Sequence, residues 1–247
     1  MTVLVVTGTG TDIGKTVTTA AVAAAELAAG RSVAVLKPVQ TGVGPGEHGD
    51  ADEVTRLVGG GVTAVELARY PEPLAPATAA LRAGLPPVRP HEVADAAAKL
   101  ATDHDLVLVE GAGGLLVRFD ADGGTLADAA RQLRAPVLVV AAAGLGTLNA
   151  TALTTEALRA RDLTPLGVVV GSWPEHPDLA ARCNLADFPA VSGTKLLGAI
   201  PEGAGAHPDF RASAPSWLAP ELAGTWDAAA FAASAEVPPV SAGSERP

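Results

Sequence analysis

Residues 8–16 read Gly8-Thr9-Gly10-Thr11-Asp12-Ile13-Gly14-Lys15-Thr16, with a short apolar run before them and a long Ala-rich stretch after. These residue types suit the capture of a phosphate chain. Glycines let backbone N–H groups come close to phosphate oxygens, and a helix N-terminus supplies several such donors aimed one way. Lys15 adds a cation that can reach the β- and γ-phosphates, and Thr16 can offer its hydroxyl to magnesium. The alternative is an ordinary Gly-rich turn with Lys15 at the surface; a Gly-Lys-Thr that follows a strand and opens a helix argues for nucleotide binding instead. The usual pattern has four residues between its glycines, whereas Gly8 and Gly14 enclose five, so this loop is one residue longer.

Three further stretches carry polar groups to the ends of apolar runs. The first is Leu36-Lys37-Pro38-Val39-Gln40-Thr41-Gly42, and Lys37 is one of only four lysines, the others being Lys15, Lys99 and Lys195. In an open parallel sheet the C-terminal strand ends line one crevice, so Lys37 and Thr41 are expected to face the crevice of Lys15. The acidic run Glu47-His48-Gly49-Asp50-Ala51-Asp52-Glu53 follows, and Asp50 or Asp52 could supply the carboxylate that a magnesium–triphosphate site needs. The same run could equally be an acidic helix N-terminus favoured by the helix dipole. Next, Val107-Leu108-Val109 ends in Glu110-Gly111-Ala112-Gly113-Gly114. A carboxylate at the tip of a buried strand is costly without a cation or hydrogen bonds, which makes Glu110 a second candidate for the metal. Gly144-Leu145-Gly146-Thr147-Leu148-Asn149 marks another helix N-terminus suited to a carboxylate or phosphate. The histidines at 48, 91, 104, 176 and 207 show no ligand spacing.

Such groups need a scaffold that delivers them to one edge. Continuous apolar runs at 2–7, 33–36, 106–109, 137–141, 166–170 and 196–200 read as strands buried on both faces. Helices are predicted at 14–29, 52–57, 90–102, 125–133 and 147–161, with Pro90 suited to a helix start and Gly30 to a stop. The alternation predicts an α/β fold: one doubly wound parallel sheet of the P-loop type, with helices on both faces. Residues 207–219 fit no element, and 235–247 are expected to form a disordered tail behind a single domain over 1–234. The 247 residues are 48% hydrophobic and 18% charged, enough for one large core. A formal charge of −10 disfavours nucleic acid and anionic membranes as partners. The single cysteine, Cys183, excludes an internal disulfide and suggests a reducing compartment, and no apolar run approaches a membrane span or a signal peptide. A soluble cytoplasmic protein is expected.

The order of these motifs resembles dethiobiotin synthetase, the biotin-pathway ligase. The loop from Gly8 to Thr16, Lys37-Pro38-Val39 with Thr41, the Asp50 loop, Val109-Glu110-Gly111-Ala112-Gly113-Gly114 and Leu145-Gly146-Thr147-Leu148-Asn149 carry the match, which spans residues 2–201. The resemblance implies a homodimer acting on 7,8-diaminononanoate, CO2 and a nucleoside triphosphate. It implies nucleotide contacts from Gly10, Thr11, Asp12, Ile13, Gly14, Lys15, Thr16, Val17, Glu110, Gly113, Gly171, Pro201, Glu202 and Gly203. Magnesium would be held by Thr16, Asp50 (in preference to Asp52) and Glu110. Lys37, Lys15 and Thr11 would be catalytic. Substrate would meet Thr41 and Gly111, with its carboxylate cradled by Gly146, Thr147, Leu148 and Asn149 across the dimer interface. One position departs from the family. An Asn that can read adenine often follows the fifth strand, and here the residue is Gly171, so base readout is expected to fall to backbone near 200–203. The site is then expected to take ATP, CTP and other nucleoside triphosphates.

The same residues argue against three rival functions. An amidotransferase-type synthetase needs a glutaminase domain with a Cys nucleophile, for which there is no room. A regulatory ATPase of the partition or septum-site type usually carries a second lysine inside the loop and a DNA- or membrane-binding surface, and this chain has neutral residues and Asp12 there. A non-catalytic nucleotide-binding module has no use for Glu110, Lys37 and Asp50 in one crevice.

Overall fold

The computed structural model describes residues 2–235. Seven strands form one sheet among those residues, in the order β3-β2-β4-β1-β5-β6-β7. They are β1 (Val3–Gly8), β2 (Val33–Thr41), β3 (Val62–Tyr70), β4 (Leu106–Gly114), β5 (Val137–Ala141), β6 (Pro165–Trp173) and β7 (Leu196–Pro201). Every pairing is parallel. Consecutive residues of β5 are all buried, which requires cover on both faces, and this is why the run shows no polar alternation. Helices supply that cover: α1 (Lys15–Ala28), α2 (Asp50–Val58), α3 (Pro76–Ala83), α4 (Pro90–Leu100), α5 (Leu126–Leu133), α6 (Thr147–Arg159), α7 (Leu179–Ser192), α8 (Phe210–Ser213) and α9 (Ala228–Ser234). The doubly wound α/β architecture predicted from the sequence is the one observed.

The alanines of α1 set how closely that helix sits on the sheet. Residues 20–25 are wholly buried, and their small side chains let the helix that starts at the phosphate loop pack tightly beneath it. Gly30, at φ +82°, ends this helix as expected, and Pro90 occupies the first turn of α4.

Two strands extend beyond their apolar runs, and both extensions matter to the site. Pairing of β2 with β4 stops at Leu36 and Val109, so Lys37 and Glu110 stand side by side where the strands part. Pro38, without an N–H, falls beyond the end of that ladder and is skipped in the pairing with β3. The sequence reading missed β3 altogether. It is an edge strand, half exposed along its length, and its mixed residues Val62 to Tyr70 show neither a continuous apolar run nor a clean alternation. It also missed α3, α7 and α9. Pro189 lies inside α7 and masks the helical pattern, although Asp178 caps that helix by accepting from the Ala181 N–H at 2.7 Å. Predicted helix ends differ from the observed ones by two residues at most. Residues 207–219 form α8 flanked by 3-10 turns, a stretch broken up by Pro208 and Pro215. Apart from Ala235, the tail expected over 235–247 lies outside the described residues.

Leu108, fully buried in β4, tests how far the site depends on this core. Leu108→Ala is expected to cost about 3 kcal/mol and to lower the melting temperature by roughly 6–12 °C. Leu81→Ala, at an 81% exposed position, should shift stability by less than about 0.5 kcal/mol. Thermal melts of both variants check the pair.

Candidate active site

The phosphate loop is built from backbone strain that its sequence tolerates. Gly14 has φ +89°, and Asp12 adopts the left-handed region at φ +56°, where Asp is among the few side chains found. The Thr9 N–H donates to the Val140 carbonyl at 2.9 Å and ties the loop to the end of β5. On its other side the loop lies directly on β6. A Cβ added to Gly14 would come within 2.1 Å of the Gly171 carbonyl oxygen, and one added to Gly171 within 2.0 Å of the Ile13 carbonyl oxygen. Gly171 is therefore a packing glycine: the strand and the loop touch backbone to backbone, and there is no space for a side chain between them.

Lys15 is buried and folds back to donate to the Gly10 carbonyl at 2.7 Å. Its pKa is lowered, first by burial and then by the nearby Lys37 ammonium, which together outweigh the attraction of Glu110, Asp50 and Asp12. Lys37 is only 3% exposed, so it is no rim lysine. Its ammonium donates to Glu110 Oε1 at 2.8 Å and to the Gly111 carbonyl at 3.2 Å, and it lies 2.5 Å from Asp50 Oδ2. Burial alone would lower the Lys37 pKa, but Glu110 and Asp50 reverse that and raise it. The Thr16 hydroxyl donates to the same Glu110 Oε1 at 2.9 Å. Glu110 Oε2 is buried without a hydrogen-bond partner.

The two acidic candidates divide cleanly. Asp50 is the first residue of α2 and turns its carboxylate to Lys37. Asp52 bonds back to the Gly49 N–H at 2.9 Å, which lowers its pKa, and so caps the start of α2 on the solvent side next to Arg69.

A cleft of about 380 Å³ opens above these groups. It is lined by Thr11, Asp12, Gly14, Lys15, Thr16, Val17, Lys37, Thr41, Asp50 and Gly113 from the sequence reading, and also by Val39, Gln40 and Ala112. Gly111 sits behind it, its carbonyl on Lys37. The turn after β7 is close by: the Glu202 N–H donates to the Trp173 carbonyl at 2.7 Å, Gly203 has φ +73°, and a Cβ on Gly205 would meet Val17 at 3.8 Å. Pro201 pairs with Trp173 at the end of β6. The Gly146–Asn149 turn is not part of the cleft. It opens α6 with Gly146 at φ +91° and Asn149 exposed, and the Thr147 hydroxyl is buried without a partner. Gln40 carried no role in the sequence reading, although it directly follows the Lys37-Pro38-Val39 motif.

Comparison with known proteins decides between the enzyme and its rivals. The family described as an AAA domain matches residues 2–208. ATP-dependent dethiobiotin synthetase of Streptomyces avermitilis is 75% identical over 96% of this chain and all of its own length. That of Streptomyces coelicolor is 70% identical over 94% of this chain and 98% of its own. The chain belongs to the dethiobiotin synthetase family. Among solved structures, a MinC–MinD cell division complex from Aquifex aeolicus matches at TM-score 0.53 and 15% identity, covering 97% of this chain and 98% of its own. A ParA family ATPase from Chlorobium tepidum matches at 0.53 and 12%, covering 86% and 88%. Those likenesses reach the P-loop fold alone. At 70–75% identity the dethiobiotin synthetases supply the chemistry against which the cleft is read.

The two lysines of this dethiobiotin synthetase cleft should respond oppositely to neutralisation. Charge on Lys15 opposes folding below its lowered pKa, and the penalty fades as pH rises toward the ordinary value of 10.5. Lys15→Met is therefore expected to melt no lower than the parent at pH 7 while losing more than about tenfold in nucleotide affinity. The Lys37 contribution is complete below 10.5 and is lost only as pH climbs through its raised folded value. Lys37→Met leaves Glu110 buried and unpaired and is expected to cost about 3–5 kcal/mol. Calorimetric melts at pH 7, with nucleotide titrations, check both.

Proposed function

We propose that this dethiobiotin synthetase-family ligase closes the ureido ring of dethiobiotin from 7,8-diaminononanoate and CO2, driven by a nucleoside triphosphate. One observation carries the assignment of roles: a buried ammonium, Lys37, stands between two carboxylates at the floor of the cleft that the phosphate loop roofs. One substrate amine takes up CO2 as a carbamate, losing a proton to solvent, and the carbamate's negative oxygens are met by Lys37 and by the hydroxyls of Thr11 and Thr41. A carbamate oxygen then attacks the γ-phosphorus, the bond to the β-phosphate oxygen breaks, and the nucleoside diphosphate leaves. The second amine attacks the carbonyl carbon of the resulting carbamic–phosphoric anhydride. Phosphate departs, the amine proton goes to solvent or phosphate, and the ring is closed. Such a sequence asks the protein for positioning and charge neutralisation rather than covalent help. Lys15, released from Gly10, reaches the phosphoryl group as charge moves onto the leaving oxygens.

Thr16, Asp50 and Glu110 would hold magnesium. They fit it on two counts: all three are hard oxygen donors, and Glu110 Oε2 is buried with nothing to bond. When bound, magnesium supplies charge neutralisation at the phosphate oxygens. The substrate carboxylate is assigned to the start of α6 from a second copy of the chain. The unpartnered Thr147 hydroxyl and the free N–H groups of that helix suit an anion, and Leu145 beside them is 91% exposed. A homodimer is therefore part of this reading. The base is assigned to backbone groups of Pro201, Glu202 and Gly203, since Gly171 has no side chain to offer. That supports use of CTP and other nucleoside triphosphates besides ATP. No helix of the described residues is long and apolar enough to cross a membrane, and the reaction is assigned to the cytoplasm.

The reading is tested by phosphate release from the magnesium complex of ATP with bicarbonate, with and without 7,8-diaminononanoate. Release is expected to require the diamine and to collapse in Lys37→Ala. Because that variant also strands Glu110, Thr11→Ala is run beside it and should lower turnover without a loss of melting temperature. Release that ignores the diamine would overturn the assignment in favour of a regulatory ATPase. Replacing ATP by CTP or GTP should retain turnover within about tenfold, since no side-chain bidentate readout discriminates the bases; a strict ATP preference would remove the backbone-readout part.

A further inference from the structure

The carboxylate of Asp50 reaches the cleft from the first turn of a helix at the end of an otherwise irregular loop, 42–49, so something must fix that loop. Gln40 and Arg69 are neighbours across the β2–β3 pair, in direct register. Gln40 is buried, and its Oε1 accepts the Asp50 N–H at 2.8 Å, one of the helix N-terminal donors left free by the helix itself. The Arg69 guanidinium is held in place by Glu66 through bonds of 2.7 and 3.0 Å. Its remaining donors go upward, to the carbonyls of Gly44 at 3.2 Å and of Glu47, and to Asp52 Oδ2 at 3.5 Å. Gly49 rests on both side chains: a Cβ there would come within 2.8 Å of Arg69 Nη2 and 3.2 Å of Gln40 Oε1.

We infer that Gln40 and Arg69 are positioning residues that set where the Asp50 carboxylate stands relative to Lys37 and Glu110, and hence how well the site takes a divalent cation. This rests on the assignment of Asp50 to magnesium made above. Arg69 lies outside the cleft, and Gln40 borders it beside Asp50, whose N–H it holds. Arg69 fixes the loop by its carbonyls at two separated points, Gly44 and Glu47, and Gln40 fixes the helix end by a backbone N–H. Asp50 is thereby carried with little freedom of its own. Such supporting partners of a ligand commonly change metal affinity by ten- to a hundredfold when removed.

The test is magnesium titration of the binding of a non-hydrolysable ATP analogue, followed calorimetrically, alongside analogue binding without magnesium and thermal melts. Arg69→Met and Gln40→Met are expected to raise the magnesium midpoint about tenfold or more, and in Arg69→Met, whose side chain lies outside the cleft, magnesium-free analogue binding should be unchanged. Arg69→Lys keeps the charge but loses the planar fork, and should recover only part of the effect. Full recovery by Arg69→Lys would overturn the inference, since a nearby charge would then suffice. Equal weakening of magnesium-free binding in Arg69→Met would also overturn it, as general damage to the site. Asp50→Asn separates the two levels. A raised midpoint in Asp50→Asn with unmoved midpoints in both Met variants removes the positioning role alone. An unmoved midpoint in Asp50→Asn removes the assignment of Asp50 and the inference with it.

Discussion

A lysine ammonium enclosed in protein is unfavourable unless its charge is answered, and at Lys37 it is answered by Glu110 and Asp50, with the Gly111 carbonyl as a third acceptor. Much else in the cleft follows from satisfying that one group. Glu110 can be there because β2 and β4 stop pairing at the residue before each partner, so their next side chains meet instead of continuing a ladder. Asp50 can be there because α2 begins at that residue, above the end of β2. Thr16 shares the Glu110 oxygen and brings the phosphate loop into the same network.

Electrostatics divides the labour between the two lysines. Lys37 is held by its carboxylates and belongs to the protein as folded, whereas Lys15 has only a carbonyl and sits in an environment that disfavours its charge. On the proposed function, an incoming triphosphate supplies what Lys15 lacks. The fold thus keeps one cation paired and leaves the other with a single carbonyl, so stability is given up at Lys15 and not at Lys37.

How much of this could be read in advance depends on how local each cause is. The phosphate loop, Lys37 and Glu110 announce themselves because each is a polar residue at a fixed place after an apolar run, and the topology of parallel sheets does the rest. The choice of Asp50 over Asp52 was not decided by the residues alone, since both lie in the first turn of the same helix; it depends on which one bonds back to the N–H of Gly49, and Asp52, three residues beyond it, is that one. The edge strand β3 and its Arg69 were illegible for a different reason. That strand is half exposed, and the bonds that make Arg69 important run to residues 17–25 positions away. No periodicity records a guanidinium bonded to backbone carbonyls. Gln40 was hidden in plain sight, inside a motif whose lysine drew the attention.

The contact between Gly14 and Gly171 has a consequence for design. Two positions 157 apart in the chain, on the loop and on β6, have to be read as one unit, because each is the only residue the other leaves space for. Grafting an amide side chain at 171 to read a base would drive a wedge under the phosphate loop. The base would be recognised by a loop no longer seated to receive its phosphates. Selectivity is better rebuilt at the exposed Glu202 in the turn after β7, since Gly203 beside it, at φ +73°, would be strained by any side chain.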